Sequence, residues 1–117
     1  MKILVIEDEK FILDSITRIL EDEGYSVTGV QDFPTAVKTI QSENFNMVIT
    51  DVMLPFSGGF DIVDLVKEDP EKQHLPVIVI TGMDKNILNS TISKADSCLT
   101  KPFTSIQLKG LVKKYLN

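Results

Sequence analysis

A chain of 117 residues, 43% hydrophobic and 25% charged, has enough material for one core and too little for two. Its net charge of −5 argues against a nucleic-acid partner, since a duplex binder must neutralise several phosphates with Lys and Arg. The apolar runs are far too short to cross a membrane, and the start, Met-Lys-Ile-Leu-Val-Ile-Glu-Asp, carries no signal-peptide pattern. With Cys98 as the only cysteine, no internal disulfide can form, and a cytoplasmic location is expected.

Ile3 to Ile6 is a short β-branched run that reads as a buried strand. From Lys10 to Glu23, Ile12, Ile16, Ile19 and Leu20 recur at helical spacing, and Gly24 follows as a stop. Tyr25 to Val30 reads as a second strand. Ala36, Val37 and Ile40 mark a second helix, opened by Pro34 in its first turn. Phe45 to Thr50 is a third strand, Ile62 to Val66 belong to a third helix, and Val77 to Ile80 form a fourth strand. A weaker helix is expected over roughly 84–93, where Asn86, Asn89, Ser90, Thr91 and Ser93 are poor helix formers. Ser97 to Thr100 is a short fifth strand, and the last helix carries Leu108, Leu111, Val112, Tyr115 and Leu116 on one side. This (βα)5 order, with strands that are continuously apolar, predicts an α/β fold: a doubly wound, five-stranded parallel sheet with helices on both faces. One domain spans 1–117, with no effector domain expected after Asn117.

In such sheets ligands bind beyond the carboxyl ends of the strands. Here those ends carry Glu7 and Asp8, then Asp51, then Thr81, then Lys101. Asp51 is the pointed case, because it ends the apolar run Val48-Ile-Thr50 just before a loop containing Pro55 and two glycines. Three clustered carboxylates repel one another, and a hard cation relieves that repulsion. An all-oxygen set without His or Cys suits Mg²⁺. Mg²⁺, a lysine, a hydroxyl and free loop N–H groups together make a receptor for a phosphoryl group. No substrate pocket is evident, so the expected acceptor is Asp51 itself.

Four pieces, "ILVIEDE", "VITDVMLPFSGG", "VIVITG" and "CLTKPF", stand in this order along the whole chain. In that arrangement the sequence resembles the receiver domain of two-component response regulators, whose fold is flavodoxin-like. The resemblance implies Mg²⁺ ligation by Asp8, Asp51 and the backbone carbonyl of Met53, with Glu7 acting through water. It implies that Thr81 hydrogen-bonds the phosphoryl group, that Lys101 pairs with it, and that the Lys101–Pro102 bond is cis. It further implies phosphotransfer to Asp51 from a phosphohistidine on a sensor histidine kinase or a histidine phosphotransfer protein. The signal would pass to a downstream protein target through a surface formed by the predicted fourth helix, the fifth strand and the last helix. Slow self-hydrolysis is expected, because Met53 and Met83 cannot orient a water by hydrogen bonding.

The chain departs from that family's pattern on the expected output face. Cys98 replaces the usual aromatic switch, and Lys94 stands where Gly is usual. A pseudo-receiver, with the same fold but no phosphorylation, is the alternative; the intact acids and lysine argue against it. Simpler roles are assigned elsewhere: Glu9 caps the first helix, Cys98 is a small filler, and His74 is a solvated loop residue. Phe11 and Leu13 fall off the Ile12–Ile16–Ile19 stripe and are expected to form a partner contact on the first helix.

Overall fold

The computed structural model describes residues 1–51, 59–82 and 94–116. Along the chain these form β1 (Lys2–Ile6), α1 (Lys10–Asp22), β2 (Ser26–Val30), α2 (Phe33–Ser42) and β3 (Met47–Asp51). There follow α3 (Gly59–Lys67), β4 (Val77–Thr81), β5 (Ser97–Thr100) and a C-terminal helix (Ser105–Leu116). The strands make one parallel sheet in the order β2-β1-β3-β4-β5. The expected helix over 84–93 lies outside the described residues.

Side chains alternate across a strand, so a sheet covered on both faces needs apolar residues at every position. Leu4, Ile6, Val48, Val77 and Val79 pack on one face against Ala36 and Ile40 of α2 and Ile62, Val63 and Val66 of α3. Ile3, Val5, Met47, Ile49, Ile78 and Ile80 pack on the other against α1 and the C-terminal helix. The chain leaves β1 for β2 on one side and returns to β3 on the other. The crevice between the ends of β1 and β3 is therefore the place where this topology leaves room for a ligand.

Local chemistry accounts for the boundaries. Gly24 ends α1 at φ +92°, where its N–H donates to Glu21 O, and Tyr25 N–H returns to Leu20 O. Asp32 caps α2 by accepting from Thr35 N–H at 2.8 Å, which holds its carboxyl below the usual range. Glu9 occupies the N-cap position of α1, but its side chain makes no capping bond. The acid thus stands at the positive end of the helix, as expected, without a capping bond. Both β3 and β4 run one residue further than their apolar stretches suggest, so Asp51 and Thr81 belong to the ladder itself.

The inward face of α1 also differs from expectation. Leu13, Ile16 and Leu20 are the buried residues, whereas Ile12 and Ile19 flank them half-buried. Leu13 lies over Gly29 of β2, its Cδ1 being 3.0 Å from where a Cβ would stand. The missing side chain opposite makes room for it, a contact that spacing along α1 alone does not reveal. Phe11 is 83% exposed, as a partner contact requires. Leu13→Ala should therefore lower unfolding free energy by about 2–4 kcal/mol in a denaturant titration. Phe11→Ala should stay within about 0.5 kcal/mol of the parent in the same titration.

Candidate functional site

The strand ends bring one cation and three acids together. Glu7 follows β1 directly, and its backbone N–H still donates to Val30 O of β2 at 3.0 Å, which extends the ladder. Asp8 comes next, in a turn where Gln31 Nε2 donates to its carbonyl at 3.3 Å. Asp51 ends β3 and pairs across the ladder with Ile80. Glu7 and Asp51 are buried, at 1% and 4% exposure, and Thr81 at the end of β4 is fully buried. Lys101 follows β5, and its backbone N–H donates to Thr81 O at 2.7 Å. The Lys101–Pro102 peptide is cis, as expected.

The Lys101 ammonium donates to Asp51 Oδ2 at 2.8 Å and stands 2.9 Å from Glu7 Oε1. Burial works against its charge, yet the bond to Asp51, the close approach of Glu7 and the charges of both outweigh that cost and hold its pKa above the ordinary lysine value. Glu7 behaves in the opposite way. Loss of solvent pushes its carboxyl up to about 7, and contacts with Asp51 and Asp8 add to the rise against the pull of Lys101.

One lysine therefore does not neutralise the cluster. One carboxylate oxygen each from Glu7, Asp8 and Asp51 lies within 4.8 Å of the others. The contact of Lys101 with Glu7 Oε1 is an ion pair without hydrogen-bond alignment, and that buried oxygen accepts no hydrogen bond among the described residues. A hard divalent cation fits this set: all-oxygen donors, surplus negative charge and an unsatisfied buried oxygen.

Four of the sequence-derived residues, Glu7, Asp8, Asp51 and Lys101, thus share one site, with Thr81 at the neighbouring strand end. Met53 and Met83 lie outside the described residues. His74 is exposed on its loop and Cys98 is half-buried on β5, both away from the acids in chain position. Sequence reasoning did not single out Gln31, which holds the turn carrying Asp8. An isolated polar residue after a strand gives no periodic signal.

Fold and site together define a doubly wound α/β domain with an acidic, lysine-paired cluster at the sheet's carboxyl edge. The chain belongs to the response regulator receiver domain family, whose pattern matches residues 3–113. It is 35% identical over 98% of its length to the regulatory protein VanRc of Enterococcus gallinarum, and covers 49% of that protein. It is 32% identical over 97% of its length to the chemotaxis protein CheY of Pseudomonas aeruginosa, and covers 94% of that one. Among several of the regulators it matches, the chain thus spans about half of the relative's length. Its fold superposes with a TM-score of 0.89 on the response regulator TrrA of Thermotoga maritima, solved with Mg²⁺ and beryllofluoride, at 28% identity and 98% coverage of both chains. A chemotaxis response regulator of Vibrio cholerae gives a TM-score of 0.92 at 26% identity, also covering 98% of both chains.

A buried acid with a raised pKa has a definite effect on stability. Between the ordinary value of 4.5 and the folded value of about 7, the native state binds more protons than the unfolded chain. Stability from this group is full below the lower value and is lost as pH rises through the upper one. In EDTA the melting temperature should fall between pH 5.5 and pH 8. Glu7→Gln, which cannot ionise, should flatten that fall.

Proposed function

We propose that this domain accepts a phosphoryl group on Asp51 from a phosphohistidine of a sensor kinase or phosphotransfer protein. The observation that carries the reading is the buried Asp51 carboxylate, held at 2.8 Å by Lys101 and adjoining two further acids. In the transfer a carboxylate oxygen of Asp51 forms a bond to phosphorus. The donor's P–N bond breaks, and its electron pair goes to the imidazole nitrogen.

Asp8 and Asp51 would hold Mg²⁺, with Glu7 acting through water and the Met53 carbonyl as a further ligand. The bound ion would offset charge on the acids and on the phosphoryl oxygens. The chain's own residues do the rest. The β3 ladder fixes Asp51 at a rigid strand end, so the nucleophile is presented without reorganisation. Lys101 keeps its charge and can move from carboxylate to phosphoryl oxygen as negative charge shifts outward. Thr81 would supply a hydroxyl to the same group from the adjacent strand.

The donor's approach is suggested by the surface beside Lys101. An open groove of roughly 560 Å³ is lined by Phe11, Ile12 and Ile19 of α1 together with Pro102 and Phe103. Its apolar floor and the exposed Phe11 ring suit the apolar flank of a helical phosphodonor. The modified domain would then act on a downstream protein target. No described helix is long and apolar enough to cross a membrane.

Incubation with Mg²⁺ and acetyl phosphate should yield a hydroxylamine-labile phosphate on the parent protein and none on Asp51→Asn. Retention of stoichiometric labile phosphate by that variant would overturn the assignment, while no phosphate on the parent would favour the pseudo-receiver. Asp8→Asn should weaken Mg²⁺ binding about tenfold or more by titration, as loss of a charged ligand does. Phe11→Ala should slow transfer from a phosphohistidine donor and leave labelling by acetyl phosphate unchanged.

A further inference from the structure

Two side chains at the opposite end of the sheet use the same device. At the foot of β3, Asn46 N–H donates to Lys2 O at 2.7 Å, and Asn46 Oδ1 accepts from Lys2 N–H at 2.7 Å. At the foot of β5, Asp96 N–H donates to Val77 O at 2.9 Å, and Asp96 Oδ2 accepts from Val77 N–H at 2.7 Å. Each polar residue thus grips both backbone groups of one residue on the neighbouring strand, just before the regular ladder begins. Both residues lie five positions before a site residue, 46 before 51 and 96 before 101.

Asp96 is the more heavily tied of the two. Lys67 Nζ stands 2.7 Å from Asp96 Oδ2 and also donates to Leu75 O at 2.7 Å and Gln73 O at 3.2 Å. Tyr115 Oη, on the C-terminal helix, donates to Asp96 O at 2.8 Å. The strand that follows is four residues long, largely half-buried, and among the described residues pairs only with β4. Short edge strands specify their register weakly, and a slip of one residue shifts the strand by about 3.3 Å and turns every side chain to the other face. Such a slip would carry the Lys101 ammonium out of contact with both Asp51 and Glu7.

We propose that Asn46 and Asp96 are register clamps, positioning residues whose two-bond grip at the foot of β3 and β5 sets where Asp51 and Lys101 meet. Asp96 acts through Lys101, and Asn46 acts through the alignment of β3 with β1 and hence of Asp51 with Glu7 and Asp8. Lys67 balances the charge of the Asp96 clamp and ties it to α3. The consequence for binding rests on the reading of Lys101 as the phosphoryl contact, whereas the consequence for register does not.

A double-substitution cycle separates the clamp from a general structural role. Asp96→Ala should weaken binding of Mg²⁺–beryllofluoride about tenfold, the worth of one charge-assisted contact, with Mg²⁺ affinity alone within about twofold. In a Lys101→Ala background the same change should add nothing. Asp96→Asn, which keeps an acceptor for Val77 N–H, should restore most of the affinity. An additive loss in the Lys101→Ala background, or unchanged affinity in Asp96→Ala, overturns the proposal. Should Asp96→Ala not fold, Asp96→Ser, whose hydroxyl is too short to span the grip, is read by the same criteria. The metal-free protein offers a readout independent of phosphoryl binding. The Lys101 Nζ–H correlation in low-temperature NMR should be sharp in the parent and in Asp96→Asn, and lost in Asp96→Ala and Asp96→Ser. A sharp signal in all four overturns the clamp even where beryllofluoride fails to bind the parent.

Discussion

The ammonium of Lys101, lodged between the Asp51 and Glu7 carboxylates, is the contact on which the rest of the site depends. Without it, a parallel sheet of this topology would end in buried like charges, each raising the others' pKa. With it, Asp51 has a fixed partner, while burial and the neighbouring acids still hold the Glu7 carboxyl above its ordinary value. That imbalance matters. A fully satisfied cluster would be an inert buried ion pair, whereas this one retains an appetite for more positive charge. Under the proposed function the same lysine would serve carboxylate and phosphoryl group in turn, both being anionic oxygens.

How far the sequence discloses all this varies from residue to residue. Strand and helix order was legible because buried parallel strands are continuously apolar and the helices carry a clear periodicity, as in Val77–Ile80 and Leu108–Val112–Leu116. The site acids and Lys101 were legible for a related reason: a charge at the end of an apolar run has no packing role. The face of α1 was harder to read. Ile12 and Leu13 are adjacent apolar residues that both fall at helical spacing from Ile16, and the space over Gly29 of β2 is taken by Leu13. Asn46 and Asp96 were illegible altogether, since a clamp is defined by the backbone it meets, 44 and 19 positions away.

Lys94 shows how a departure from a family pattern acquires physical content. Where the family resemblance leads one to expect a glycine, this chain sets an ammonium 3.3 Å from Asp64 on α3 and 3.1 Å from Glu68 just past its end. Exposed pairs of this kind contribute little to stability and weaken with salt. Their value is geometric. Together with Lys67 and Asp96 they give α3 and the turn before β5 reciprocal charges, acids facing a lysine and a lysine facing an acid.

The separation of Lys101 from Asp51, 50 positions along the chain, has a meaning for the protein's birth. Translation proceeds from the N-terminus at about 5–20 residues per second, so roughly three to ten seconds pass between completing the acids and adding their cation. Throughout that interval the residues of β1, β2 and β3 exist without β5, and Lys101 is not yet there to offset Glu7, Asp8 and Asp51. Burying the three acids before then would leave their charge without this partner, which is costly. Docking of β5 onto β4 and pairing of the acids with their lysine are thereby tied together, because Lys101 directly follows that strand.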